Sequence, residues 1–427
     1  MLKLWLLLLS ISAATTTTVT ANNYKWVDIW GTMPQLTEPA NLPPAPFNGS
    51  SGVFVDATLR QTLQVTLPAN QIRVRLSNVF GGTVLPITGM TIASLTSGSS
   101  SLGTGAIDTN SLLPITFSGN SSITIPTGAQ VVSDPIAFPV AAKGNLSLSL
   151  YLQDGQQGFA VTSHPGSRTT SWMGGGNQTA EYNLTTSDVQ STAHWYFITA
   201  IEGWVESDAG ALVVVGDSIT DGRGSTTNGN DRWPDQLVTR LQAECKVSVI
   251  NEAAGGNRVL ADGLGPNALG RIDRDVLAQT GVKYAMIYEG VNDIGTAANT
   301  TAAQQDVGDR LIQAFDQIVT RVHAQRIPIF GATITPFSGN ATIQPYSNAN
   351  REVTRQRVNE WIRNSGRFDY VVDFDAVIAD PSNPSQLAPQ YDSGDYLHPN
   401  PLAYGKMAEA FDLGVFERFK GGVEGYN

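Results

Sequence analysis

Five short apolar runs in the second half of the chain, each set beside a helical stretch, constrain the fold more than any other feature. They are ALVVVG from Ala211, KVSVIN, VKYAMIYEG, RIPIFGATI and YVVDFDAV. Strands that are apolar on both faces need cover on both faces. The intervening segments, clearest at Asp306 to Gln325 and Asn350 to Asn364, have the period of amphipathic helices. The pattern predicts a doubly wound α/β domain over residues 211–427, with any ligand bound at the carboxyl ends of its parallel strands.

The first half has another period. Ile72, Val74 and Leu76 alternate with Arg73, Arg75 and Ser77, and Leu146, Leu148, Leu150 and Leu152 alternate with Ser147, Ser149 and Tyr151. Such alternation predicts half-buried antiparallel strands. Similar runs at SSITIP, VVSDPIAFPV and HWYFITAIEGWV are broken by Gly, Pro, Ser and Asn, and no helical pattern interrupts them. Residues 22–206 are therefore expected to form an all-β jelly-roll or sandwich domain. Ser207 to Gly210 reads as a short linker, and no tandem repeat is present.

The amino terminus has its own logic. Lys3 precedes an apolar run from Leu4 to Ile11, and Val19-Thr20-Ala21 offers a small-residue cleavage site. A spanning helix needs about 20 apolar residues, so residues 1–21 read as a signal peptide rather than a membrane anchor. Secretion is the expectation, with Asn-x-Ser/Thr sequons at Asn48, Asn120, Asn145, Asn177, Asn183, Asn299 and Asn340 as candidate glycosylation sites. Cys245 is the only cysteine, which rules out an intrachain disulfide and reads as a small core residue. Acidic side chains outnumber basic ones, 37 to 26, and no Lys/Arg cluster offers a nucleic-acid footprint.

Chemistry collects at the strand ends. The first apolar run closes in Val215-Gly216-Asp217-Ser218-Ile219-Thr220-Asp221. A serine there can expose its hydroxyl, although a phosphate-binding turn or a helix cap fits those residues equally well. The elbow Gly-x-Ser-x-Gly occurs nowhere. A serine hydroxyl needs a base, and there are four histidines. His323 falls in a helix, on a face expected to be solvated, and His164 and His194 fall in the β-rich half. His398, in the loop Tyr391 to Asn400, emerges at the edge of the sheet that carries Ser218. Asp395, three residues earlier, can hold its imidazole. The segments Asn251 to Arg258, with Gly255 and Gly256, and Glu289 to Asp293 end the next two strands. The backbone N–H groups of Ser218 and Gly256 and the amide of Asn292 are candidate oxyanion donors. Each of these segments alone reads as an ordinary turn.

Taken together, Ser218 in GDSIT, Gly256 in AAGGN, Asn292 in GVND and His398 in DYLHP resemble the four blocks of the SGNH (GDSL-type) hydrolases, in the family's order. The resemblance covers roughly residues 211–420. It implies a flavodoxin-like fold and ester hydrolysis by Ser218, Asp395 and His398, with no metal or organic cofactor. In the family the block-two glycine precedes a polar residue, which favours Gly256 over Gly255. The tract IRVRLSNVFGG further resembles a two-domain secreted subgroup with an amino-terminal β-domain, associated with plant cell-wall polysaccharide.

The expected substrate is accordingly an acylated polysaccharide or oligosaccharide. A lipase or phospholipase, or an inactive carbohydrate-binding protein, are the alternatives. The β-domain can be a carbohydrate-binding module, a wall of the active site or a packing partner. The segment Thr162 to Arg168 and the aromatics Trp172, Trp195 and Tyr196 permit a sugar-contacting surface. Asp217, Asp221, Asp293 and Arg258 read as residues that orient turns, without the spacing of a metal site.

Overall fold

In the computed structural model, which describes residues 23–96, 102–242 and 244–424, the chain folds as an antiparallel β-region followed by a parallel α/β region. The segment expected to be a signal peptide lies outside the described residues. The principal strands are β1 (Tyr24–Gly31), β2 (Ala57–Gln64), β3 (Ile72–Ser77), β4 (Gly89–Ser94), β5 (Asn145–Leu152), β6 (Ser171–Gly175) and β7 (Ile198–Glu206). β1, β7, β3 and Gln130–Val132 make one sheet. Gln190–Thr192, β6, β2, β5, β4 and Leu113–Pro114 make the other. Leu146, Leu148, Leu150 and Leu152 are fully buried. The predicted sandwich is present.

Its outer face is drier than the alternation implies. Ser147 and Ser149 were expected on a solvated face, yet both are buried. Arg60, fully buried on the neighbouring strand, donates to Ser149 Oγ at 2.9 Å and to the carbonyls of Gly105, Gln178 and Glu181. Long connections cross this face, and the polar side chains beneath satisfy their carbonyls instead of meeting water. A period of two reports alternation of side chains, not which covering lies over each face.

Only Ser207–Ala209 separates β7 from β8 (Gly210–Gly216). β8 is followed by β9 (Val247–Ala253), β10 (Val282–Tyr288), β11 (Ile329–Ala332) and β12 (Tyr370–Val372). They form one parallel sheet in the order β9-β8-β10-β11-β12, the flavodoxin-like order, and correspond to the five apolar runs. Among the helices are α1 (Ser218–Asp221), α2 (Trp233–Leu241), α3 (Thr301–His323), α4 (Ala349–Asn364) and α5 (Pro401–Glu409). No helix among the described residues is long and apolar enough to cross a membrane.

The two regions are joined along a sheet edge. Thr32, just past β1, pairs in parallel with Asn251 of β9, and Asp28 N–H donates to the Thr280 carbonyl at 2.8 Å. Ser248 Oγ donates to the Asp28 carbonyl at 2.6 Å. A side chain at Gly31 would lie 2.5 Å from Ile250 Cγ2, so the strands approach closely there. The Arg75 guanidinium, buried in the seam, reaches Glu202, Asp28, Gln279 and Thr280. The exposed edge of the parallel sheet is thus covered by the β-region, and that docking decides what faces the strand ends.

Candidate active site

The strand-to-helix turn that carries Ser218 is made by its own sequence. Asp217 is extended and its carboxylate accepts the Ile219 N–H at 2.9 Å, which caps α1 and leaves Ser218 as the first helical residue. The loop that carries His398 is similarly self-tied. Asp392 Oδ1 accepts the N–H groups of Gly394, Asp395 and Tyr396, and Ser393 N–H donates to the His398 carbonyl at 2.9 Å. Asn400 then caps α5 through Ala403 N–H. Two rigid turns, 180 residues apart in the chain, meet over the end of β8.

Their side chains form one hydrogen-bonded series. Ser218 Oγ lies 2.8 Å from His398 Nε2, and His398 Nδ1 lies 2.6 Å from Asp395 Oδ2. Asp395 Oδ1 accepts the backbone N–H groups of Leu397 at 3.0 Å and His398 at 2.8 Å. Ser218 and His398 are buried, each 6% exposed. Partial burial pushes the Asp395 carboxyl up, but His398 and these backbone donors outweigh it and hold it well below the usual carboxylate range. It therefore stays ionised throughout the ordinary acidic range.

Gly256 and Asn292 line the same cleft, of about 420 Å³, as Ser218 and His398. Gly256 is left-handed at φ +72°, and neither its N–H nor that of Ser218 bonds to another described residue. Asn292 Nδ2 donates to the Asn257 carbonyl at 2.9 Å, and its Oδ1 accepts the Tyr346 hydroxyl at 3.2 Å. Those two bonds fix the amide and leave one of its N–H bonds to spare. Gly255 lines the cleft beside Gly256.

Asp217, Asp293 and Arg258, expected to orient turns, each bond to neighbouring backbone. Asp293 accepts the N–H groups of Val259 and Leu260, which pins the loop after β9. Arg258 donates to the Asp262 carbonyl. Arg271, which the sequence reading passed over, is buried. It donates to Asn257 Oδ1 at 3.0 Å, the Glu252 carbonyl at 2.6 Å and Asp275 at 3.1 Å. It thereby holds the residue on which the Asn292 amide rests. Among the described residues no group of His, Cys, Asp and Glu side chains has the arrangement of a metal site.

Burial pushes Asp217 up to about 7, against the bond from Ile219, and the neighbouring Asp293 and Asp221 add to the rise. The fully buried Glu289 is raised well above its ordinary value by burial, with Asp217 adding to the effect and Arg271 opposing it. A carboxyl whose folded pKa is raised keeps a proton that the unfolded chain releases, so its contribution to stability is present below about pH 4 and lost as pH rises through about 7. An Asp217→Asn protein, whose amide still caps α1, is expected to melt roughly 2–4 °C above wild type at pH 8. That gap is expected to close toward pH 5. Thermal denaturation followed at both pH values checks this, and an equal shift at both would contradict it.

Of the other histidines, His323 differs from expectation, and His164 and His194 fall in the β-region as expected. His323 is buried, not solvated, and its Nε2 meets Asp369 at 2.8 Å. The carboxylate comes from the turn just before β12, a partner no helical pattern reveals. His164 reaches out of the β-region. Its Nε2 lies 3.0 Å from Asp221 Oδ1 on α1, and its Nδ1 lies 3.0 Å from the Met33 carbonyl. A side chain at Gly166 would fall 1.7 Å from Asp221 Oδ2, so only glycine allows this approach. His194 and Arg168 line the cleft as well. Of the residues considered for sugar contact, Trp195 and Tyr196 are core side chains, 3% and 0% exposed, and the indole of Trp172 donates to the Gly103 carbonyl. The segment Thr162 to Arg168 is the part that meets the cleft. Cys245 is half-buried and packs against the core.

Residues 212–411 match the model of the GDSL-like lipase/acylhydrolase family. Among solved structures, a GDSL-like lipase from Bacteroides thetaiotaomicron is similar at 16% identity and a TM-score of 0.37, over 49% of this chain and 88% of that one. A variant of an acetyl xylan esterase from Geobacillus stearothermophilus is similar at 22% identity and a TM-score of 0.34, over 52% of this chain and 100% of that one. No curated protein matches the chain in sequence.

Proposed function

Because residues 212–411 are a GDSL-like lipase/acylhydrolase domain, we propose that the protein is a secreted serine esterase that removes acetyl or similar small acyl groups from plant cell-wall polysaccharide. The observation that carries the reading is the series Ser218–His398–Asp395, at 2.8 and 2.6 Å, opening into a cleft. His398 takes the Ser218 proton as Oγ attacks the ester carbonyl. The N–H groups of Ser218 and Gly256 and the Asn292 amide receive the oxyanion. His398 then protonates the leaving alcohol, and water brought in by the same base releases the acid from the acyl-enzyme.

The cleft argues for a small acyl group on a hydroxyl-rich alcohol. Gln35, Glu38, Asn41 and two arginines bring polar groups to it, a poor lining for a long acyl chain. Secretion rests on the amino-terminal run and on the sequons. Asn120, Asn177, Asn183, Asn299 and Asn340 are exposed and Asn48 and Asn145 half-buried, so all seven have some surface access. The polysaccharide class rests on the resemblance of the tract around Ile72 to the two-domain subgroup. An acylhydrolase acting on lipids is the competing reading.

The test is acetate release from acetylated xylan, pectin and glucomannan beside a triacylglycerol control, with p-nitrophenyl esters of increasing chain length. Preference for acetate is the expected result. Preference for long chains would transfer the protein to the lipase reading. An Asn292→Ala protein is expected to lose about 100- to 1000-fold in kcat on p-nitrophenyl acetate. Because the Tyr346 hydroxyl and the Asn257 carbonyl also lose their partner, circular dichroism should accompany the kinetics.

A further inference from the structure

Arg168 is held in a conformation that its residue type does not favour. Its φ is +50°, in the left-handed region, where an L side chain is strained and glycine or asparagine is the usual occupant. The strain is imposed from both sides. Ser167 Oγ donates to the Thr169 carbonyl at 2.9 Å, and Asn228 of the α/β region donates its N–H to the Arg168 carbonyl at 2.8 Å. An arginine kept at such a site invites a functional explanation. Its side chain supplies one: it lines the cleft with Ser218 and His398, and its Nε is buried with no hydrogen-bond partner among the described residues.

Among the described residues no carboxylate of the cleft forms an ion pair with it. Glu38 accepts from the amides of Gln35 and Asn41, Asp395 meets His398, and Asp221 meets His164 through Oδ1 while its Oδ2 is buried with no hydrogen-bond partner among the described residues. Arg223, on the loop just after the nucleophile's helix, also lines the cleft and is exposed. Neither arginine makes a salt bridge to a described residue. Two guanidinium groups are therefore concentrated at the one cleft that holds the reactive serine, in a chain with a formal charge of −11.

We propose that Arg168 is a specificity-determining residue that binds a carboxylate of the ester substrate, with Arg223 as a second cation beside it. The planar guanidinium fork matches a carboxylate in two parallel hydrogen bonds, and partial burial keeps that pair from being screened. The inference rests on the esterase reading and narrows it to acidic esters. The carboxylate is carried either by a uronic acid of the saccharide or by the acyl group, and the two sources present the same chemistry to Arg168.

The experiment compares the full-length protein with Arg168→Gln and Arg168→Lys on four substrates. These are an acetylated oligogalacturonide, an acetylated neutral xylo-oligosaccharide of equal length, p-nitrophenyl acetate and p-nitrophenyl hemisuccinate. Arg168→Gln is expected to lose about ten- to a hundredfold in kcat/KM on one acidic substrate, mainly through KM, and less than about twofold on the neutral ones. A loss on the oligogalacturonide places the carboxylate on the sugar, and a loss on the hemisuccinate places it on the acyl group. Arg168→Lys should recover only part of the loss. Equal losses on all four substrates, or none on either acidic one, would overturn the inference while leaving the esterase intact.

Two further measurements separate the readings. An Arg168→Gly protein should melt at or above the wild-type temperature, because the left-handed strain is released, and should still lose the acidic preference. A purely structural arginine would lower the melting temperature instead. Binding of an unacetylated oligogalacturonide and of free succinate to the unmodified protein, followed by calorimetry, needs no turnover. If wild type fails to hydrolyse p-nitrophenyl acetate but one of these anions binds at least tenfold more weakly to Arg168→Gln, the esterase reading falls and the anion site stands. If neither anion discriminates the two proteins, the site falls.

Discussion

A Ser218→Ala protein is expected to retain its melting temperature within a degree or two and to lose about 10⁴- to 10⁶-fold in kcat on p-nitrophenyl acetate. The asymmetry follows from what the hydroxyl touches. Among the described residues Oγ makes one hydrogen bond, at 2.8 Å to His398 Nε2, and its removal withdraws a net contribution of about 1 kcal/mol from folding. Asp217 still caps α1, and Asp395 still holds the imidazole from the other side. The chemistry suffers because His398 is left with no hydroxyl to deprotonate beside its Nε2. Labelling by a fluorophosphonate should disappear in the same variant. Turnover within tenfold of wild type in a well-folded Ser218→Ala protein would remove Ser218 as nucleophile.

Asp395→Asn is expected to cost about 10⁴-fold in kcat, although it replaces one atom by another of similar size. The backbone dictates how the new amide must sit. Oδ1 of Asp395 accepts the N–H groups of Leu397 and His398, and an amide nitrogen cannot accept them. The amide oxygen takes that place, which turns the NH₂ group toward His398 Nδ1, 2.6 Å away in the wild type. Nδ1 must then accept, so the ring proton moves to Nε2 and points at Ser218. The imidazole becomes a donor where a base is required. Because Asp395 is ionised throughout the ordinary acidic range, wild-type activity on the acid side should not follow the protonation of this carboxylate. The pH–rate profile and NMR of the imidazole protons check both statements. Near-normal kcat in Asp395→Asn would mean that the carboxylate is dispensable.

How much of the molecule was legible beforehand depends on the range of the forces involved. The five parallel strands were visible as apolar runs because burial on both faces is written in each run by itself. The meeting of Ser218 and His398 was foreseeable from their places at strand ends and from the order of the four blocks. The solvated face assigned to His323 failed because its partner, Asp369, lies 46 residues away on another element. The polar face assigned to Ser147 and Ser149 failed for the same reason, since loops from elsewhere cover it.

The sequence by itself determined what neighbours along the chain can decide: strand or helix, the capped turn at Asp217, the self-tied loop at Asp392, and a serine, an imidazole and a carboxylate at one sheet edge. Only the tertiary structure decided what stands opposite them. β1 covers the edge of β9, and that docking carries Gly166 and Arg168 to the cleft and His164 to Asp221. These residues sit in a segment whose local pattern is that of any β-region connection. Their role arises from burial and hydrogen bonding between surfaces far apart in the chain, and no periodicity within either surface encodes such a pairing.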